Sequence, residues 1–326
     1  MADKLKFGVI GTNFISHTFA EAAEASGEAE VFAVCSRKRE TGILFADKHK
    51  IPHSRVYTSF EEFSESGIDA VYVASPNKFH CEQSLFFLKR NIPVLCEKPA
   101  ASDLDEYRLM RRTSEECGTV LMEGMRQAHD PAWRVIRGAI PEIGRIRHAA
   151  FEFCQYSSRY GKYLAGEKTN TFDPSLSNAA IMDIGVYPLH CLVMLFGEPL
   201  SASANSVFLD NGFEASGEVT LAYGGFTASA LYSKVYDSPR PSAIFGEDGV
   251  ILINKLSVPS EAILIRLGEE PEKLPVMPVV PNNMVWEIKD FAELVRIGKV
   301  GHDFADNTEA VMKILDKARA AAGIRF

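Results

Sequence analysis

A handful of side chains in this sequence are spaced to move a proton. Lys98 stands in Cys96-Glu97-Lys98-Pro99-Ala100, directly after the apolar run Val94–Cys96. Asp183, Tyr187 and His190 stand at i, i+4 and i+7 in Asp183-Ile184-Gly185-Val186-Tyr187-Pro188-Leu189-His190. That spacing puts a carboxylate, a phenol and an imidazole on one face of a helix. Pro188 cannot sit in a helix interior without loss of a hydrogen bond, so the helix either starts near Gly185 or bends. Free lysine and tyrosine titrate near ~10, too high for an efficient base at neutral pH. A partly buried ammonium beside a second positive charge would be held lower. The set suits proton transfer at a hydroxyl, with a cofactor carrying the electrons.

Such groups need a scaffold. In the first part of the chain, short apolar runs alternate with helical patterns. Leu5–Ile10, Val31–Cys35, Ala70–Ala74, Val94–Cys96 and Val120–Met122 read as strands. A helix with Ile15, Phe19, Ala22 and Ala23 on one face follows the first of them. Strands alternating with helices imply a doubly wound parallel sheet with right-handed crossovers. Ligands of such sheets lie outside the carboxyl ends of the strands. Gly11, the segment Ser75-Pro76-Asn77-Lys78-Phe79-His80, and Glu97-Lys98 should therefore share one edge. The rhythm then changes. Ile146–Tyr156 is one long strand, and further strands follow between Ala202 and Ile253. Their turns are Asn211-Gly212, Gly224-Gly225 and Asp248-Gly249, which suit antiparallel hairpins. Two helical patterns, Met284–Arg296 and Asn307–Ala321, close the chain, and Pro271–Pro281 reads as a surface connection. The expected division is 1–122, a dinucleotide-binding domain, and 123–326, a domain for substrate and oligomerisation.

The first strand ends in Gly8-Val9-Ile10-Gly11-Thr12-Asn13-Phe14-Ile15-Ser16. A dinucleotide fingerprint reads G-x-G-x-x-G at such a junction, with the helix N-terminus turned toward a pyrophosphate. Asn13 and Ser16 occupy the second and third glycine positions. The alternative is a structural turn in an unrelated α/β sheet. The second strand ends in Cys35-Ser36-Arg37-Lys38-Arg39. A carboxylate there would hold the ribose hydroxyls of NAD. Ser36 and Arg37 suit instead the 2′-phosphate of NADP, which is preferred, with NAD the alternative.

Gly8-Val9-Ile10-Gly11-Thr12, Ser75-Pro76-Asn77-Lys78-Phe79-His80 and above all Cys96-Glu97-Lys98-Pro99-Ala100 resemble the glucose–fructose oxidoreductase, inositol dehydrogenase and rhizopine-catabolism (Gfo/Idh/MocA) family. The resemblance runs over nearly the whole chain. It implies a fold of class α/β: an N-terminal Rossmann domain and a C-terminal α+β domain with a large open, mostly antiparallel sheet. It implies hydride transfer between a nicotinamide and a sugar, polyol or related alcohol or carbonyl compound. It also implies a homodimer or homotetramer formed through the C-terminal sheet. Asn178-Ala179-Ala180-Ile181-Met182-Asp183-Ile184-Gly185-Val186-Tyr187 matches a second family motif, with Asn178, Ala179 and Ala180 where glycines are usual. By that match Lys98, Asp183 and Tyr187 are the catalytic group. Gly11, Thr12, Asn13, Phe14, Ile15, Ser36, Arg37, Ser75, Pro76, Asn77, His80, Glu97 and Lys98 would meet the cofactor. For His80, a solvent-facing helix start is an equal alternative. Arg126, Tyr156, Arg159, Asp183 and His190 would meet the substrate, although Arg159 equally suits a surface ion pair.

The net charge is −8, and the basic clusters Arg37-Lys38-Arg39 and Arg108, Arg111 and Arg112 are not interleaved with aromatics, so nucleic acid and anionic membranes are not expected partners. No apolar run reaches the ~20 residues of a membrane helix and the start carries no signal peptide, so a cytoplasmic location is expected. The six cysteines show no C-x-x-C and none sits beside a histidine at zinc spacing, so no metal is expected. Two rivals remain: an enzyme that uses bound NAD(P) transiently in a non-redox elimination or hydrolysis, and a regulatory protein that binds the cofactor without turnover.

Overall fold

The computed structural model describes residues 3–276 and 280–326. The chain forms two compact units: the part through His129 with Pro281–Asp306, and Asp130–Val280 with Asn307–Phe326.

The first unit alternates as expected: β1 (Leu5–Ile10), α1 (Phe14–Ser26), β2 (Ala29–Cys35), α2 (Arg39–His49), β3 (Val56–Tyr57), α3 (Phe60–Ser64), β4 (Ala70–Val73), α4 (His80–Leu88), β5 (Val94–Glu97), α5 (Leu104–Cys117) and β6 (Leu121–Gly124). The sheet has the order β3-β2-β1-β4-β5-β6, and every pair is parallel. The direction of winding reverses between β1 and β4, the place where such sheets bind ligands. β4 and β5 are buried at every residue, as strands covered on both faces must be. β3 escapes the pattern because two residues carry no periodicity.

One expectation is corrected. A single boundary at 122/123 does not describe the compact units, because 123–129 and 281–306 pack with the first one. The helix Met284–Ile297 buries Ile288 and Phe291 completely, and Phe291 meets Phe7 of β1 at 5.5 Å between ring centroids. Phe7 in turn meets Phe19, which stacks on Tyr72 at 3.8 Å. The apolar stripe of that helix is visible in sequence, but the sheet it covers is not.

The second unit holds α6 (Ala132–Ala139), β7 (Ile146–Cys154), α7 (Tyr160–Leu164), α8 (Val186–Phe196), β8 (Ser201–Phe208), β9 (Glu214–Ala222), β10 (Thr227–Ser233), β11 (Ser242–Gly246), β12 (Gly249–Ile253), β13 (Ala262–Arg266) and β14 (Glu272–Lys273). Its eight strands run in the order β14-β13-β12-β11-β7-β10-β9-β8. β7 and β10 pair in parallel, whereas their neighbours are antiparallel, so the sheet is mostly and not wholly antiparallel. In β10, Ala228, Ala230 and Tyr232 are fully buried, the period of two that turns one face inward. The last two strands lie beyond the expected set, and β14 falls in the segment read as a surface connection. Residues 277–279 of that segment lie outside the described residues. No described helix is long and apolar enough to cross a membrane.

Candidate active site

In the first unit the expected residues gather at the carboxyl edge of the sheet. Gly11 follows β1 with φ +99°, and a Cβ there would stand 2.9 Å from the Ala74 carbonyl oxygen. Only glycine closes this turn without pushing back β4. Asn13 explains the missing second glycine. Its Oδ1 caps α1 by accepting from the N–H groups of Ile15 (3.1 Å) and Ser16 (3.3 Å), and its Nδ2 donates to the Ala74 carbonyl at 3.0 Å. The helix N-terminus is therefore partly satisfied by its own cap. This modifies the expectation of N–H groups turned to a ligand: those of Ile15 and Ser16 belong to the Asn13 side chain, whereas those of Thr12, Asn13 and Phe14 are not taken by it. Phe14 is exposed.

At the end of β2, the buried Ser36 hydroxyl lies 2.7 Å from that of Thr41. Arg39 donates to the carbonyls of Val56 (2.8 Å) and His53 (3.3 Å), which ties it to the chain around β3. Arg37 and Lys38 are exposed.

After β4, Ser75, Pro76 and Asn77 are half-buried, and the Ser75 hydroxyl oxygen is buried with no partner among the described residues. His80 starts α4 but is 1% exposed. Its Nδ1 lies 2.9 Å from the Pro99 carbonyl and its Nε2 2.8 Å from that of Ser75. Both sequence alternatives for His80 are thereby corrected. The ring neither faces solvent nor offers a nitrogen to a ligand; it clamps the loop after β4 to the loop after β5. Burial lowers its pKa, and a neutral ring donates to only one of the two carbonyls.

Lys98 follows β5 directly and is half-buried, and the Lys98–Pro99 peptide is cis. Glu97 is buried beneath it. The Tyr72 hydroxyl donates to Glu97 Oε1, and the Lys98 backbone N–H donates to Glu97 Oε2 at 3.2 Å. Glu97 was expected against a cofactor; its carboxyl group instead braces the backbone of Lys98. Burial raises its pKa, while the charges of Lys98 and Arg126 pull the other way. Glu287, from the returning helix, is wholly buried beside this group. A Cβ on Gly124, the sheet partner of Glu97, would lie 3.8 Å from both Glu287 carboxyl oxygens. Arg126, expected to contact substrate, stands on the turn after β6 and places its charge near Glu97 and Glu287.

In the second unit, the question raised by Pro188 has a definite answer. A π-helical turn, Ile181–Gly185, runs straight into α8, so Pro188 falls in the first turn of α8. Glu214 of β9 accepts the Ile181 N–H at 2.9 Å and pins the start of the turn. Gly185 leaves room for Tyr232, whose ring atom would lie 2.9 Å from a Cβ at this position. Asp183 stands on the π turn, and Tyr187 and His190 stand on α8. Tyr187 packs edge-on to Phe153 at 5.0 Å. His190 is 2% exposed, inside the unit and not on its surface. Sequence reasoning missed Lys234, just after β10, whose ammonium donates to Asp183 Oδ2. Tyr156 and Arg159 are exposed beyond β7, and Tyr156 meets Tyr160 edge-on at 5.5 Å.

Two family models match this chain. One, described as an oxidoreductase family with an NAD-binding Rossmann fold, covers residues 5–125; the other, the GFO/IDH/MocA C-terminal domain, covers residues 139–252. The chain belongs to the Gfo/Idh/MocA family of oxidoreductases. Among its relatives, the uncharacterised oxidoreductase YgjR of Escherichia coli is 41% identical over 99% of this chain and 98% of its own. The scyllo-inositol 2-dehydrogenase (NADP(+)) IolU of Bacillus subtilis is 36% identical over the same shares, 99% and 98%. A crystal structure of KijD10, a 3-ketoreductase from Actinomadura kijaniata in complex with NADP and TDP-benzene, aligns over 98% of both chains. Its TM-score is 0.88 at 24% identity, a likeness of fold. The Gfo/Idh/MocA family binds NAD(P) on a Rossmann domain, and the glycine turn at Gly11 and the partnerless Ser75 hydroxyl suit such a cofactor.

Proposed function

We propose that this protein is an NADP-dependent dehydrogenase or reductase that interconverts a hydroxyl and a carbonyl on a sugar, a polyol or a related diol. The observation that carries the reading is Lys98: a half-buried ammonium placed directly after β5, on the same sheet edge as the Gly11 turn and Ser75. The name of the Bacillus subtilis relative, a scyllo-inositol dehydrogenase using NADP(+), supports both the substrate class and the cofactor. The end of β2 agrees, because Ser36 and the exposed Arg37 and Lys38 stand where an NAD site carries a carboxylate.

The bound nicotinamide would accept or supply the hydride. The chain's part is the proton and the geometry. Lys98 and Tyr187 would hold and move the proton at the substrate oxygen, and Asp183 would orient that hydroxyl. Thr12, Asn13 and Phe14, whose N–H groups the Asn13 side chain does not take, would meet the pyrophosphate, and Ser75, Pro76 and Asn77 the nicotinamide end. Glu97 and His80 would serve by holding the Lys98 loop in place. Tyr156 and Arg159 would meet the more distant part of the substrate. The same reading gives the exposed apolar residues of the eight-stranded sheet, Val207, Phe208 and Phe245 among them, a role in a homodimer or homotetramer. The test is a spectrophotometric screen of sugars, inositols and diols with NADP(H) and NAD(H), in both directions. Turnover of a polyol with preference for NADP is the expected result. Cofactor binding without turnover of any compound would overturn it.

A further inference from the structure

We propose that Lys234 is a positioning residue for this reaction: its ammonium fixes the orientation of the Asp183 carboxylate, and so the hold of that carboxylate on the substrate hydroxyl. The inference rests on the reading of Asp183 given above.

The ammonium is the hidden member of the pair. The Lys234 side chain is 3% exposed and that of Asp183 38%. A charge taken so far out of water is tolerated only where an opposite charge and further polar contacts meet it. Lys234 has the Asp183 carboxylate as its ion-pair partner, and the Phe172 ring lies 5.6 Å from its Nζ. The backbone on each side is held. The Lys234 N–H donates to the Ala215 carbonyl at 2.9 Å, and its carbonyl accepts from Ser157 at 2.8 Å. On the other side, the Glu214 carboxylate anchors Ile181, and the Asp183 N–H donates to the Ala179 carbonyl at 3.0 Å. Two fixed backbones joined by an ion pair leave the carboxylate little freedom to turn.

The asymmetry of exposure assigns the roles. A substrate can reach the carboxylate but not the ammonium, so Lys234 acts through Asp183. An ionised carboxylate only accepts hydrogen bonds, and a site built around it favours a substrate that brings a hydroxyl.

The experiment compares the wild type with Lys234→Met, Lys234→Arg, Asp183→Asn and the double variant Lys234→Met/Asp183→Asn. Lys234→Met is expected to lower kcat/KM for scyllo-inositol by about 100-fold, the scale of a misplaced reacting group. The KM for NADP should hardly change. Lys234→Arg should recover activity toward the wild type, and the double variant should be no worse than the poorer single one, because the pair acts as a unit. Lys234→Met activity within about twofold of wild type, as for an ordinary surface change, would overturn the proposal. So would losses that multiply in the double variant. If the wild type turns over no polyol, the functional reading fails instead, and a crystal structure of Lys234→Met still decides the positioning. A carboxylate of Asp183 that has swung away supports it, and one left in place refutes it.

Discussion

Glu287 lies wholly inside the first unit, and among the described residues neither of its carboxyl oxygens has a hydrogen-bond partner. Burial, helped by the negative charge of Glu97, raises its pKa well above the ordinary 4.5. The folded protein keeps this proton over a pH range in which the unfolded chain has released it. The stability tied to the proton is therefore full below pH 4.5 and is lost as pH rises toward the folded pKa. The slope is about 1.4 kcal/mol per pH unit within that window. Glu287→Gln removes the titration, so its stability relative to wild type should improve steadily as pH rises through that window in urea unfolding. A difference that does not change with pH would contradict the assignment. At this scale the sequence was legible where a residue's neighbours in the chain define its place. Lys98 could be placed because an apolar strand ends just before it. Lys234 could not, because a lysine after a strand looks like a solvated edge residue, and its partner is 51 positions away. His80 was misread for a similar reason, since the carbonyls that meet its two nitrogens come from different loops.

Among the elements, α1 shows how a departure from a motif can be compensated. The glycine fingerprint leaves the helix N-terminus to a ligand, whereas Asn13 caps it and ties it to the end of β4. Asn13→Ala should cost about 0.5–2 kcal/mol of stability, the range for loss of an N-cap. Denaturant midpoints read this directly, and a neutral result would mean that the cap contributes nothing. The longer strands and helices of the first unit were legible because their apolar runs are long and regularly spaced. β3, β13 and β14 were missed, two of them being only two residues long. The parallel pairing of β7 with β10 was missed as well, because a strand's own pattern of alternation says nothing of the direction of its neighbour. The face that carries Asp183, Tyr187 and His190 was seen as helical, but the π turn that accommodates Pro188 has no signature beyond the proline itself.

Across the whole molecule, the chain completes its first unit with a segment from near its end. Phe291, fully buried against Phe7, belongs to that completion. Phe291→Ala should destabilise the protein by about 3–5 kcal/mol, as loss of a buried aromatic does. A change below about 1 kcal/mol in calorimetry or chemical unfolding would mean that 281–306 is an appendage and not part of the core. The order of the chain alone suggested two consecutive domains, since a helix pattern shows which face is buried and not against what. The functional account reduces to one side chain. Lys98→Met, assayed beside the wild type with the best substrate of the polyol screen, tests it most directly, with NADPH affinity followed by fluorescence. The account predicts a loss of turnover of about 10²–10⁴-fold, the usual worth of a positioned acid or base, with NADPH affinity almost unchanged. A variant that keeps most of its turnover would contradict it.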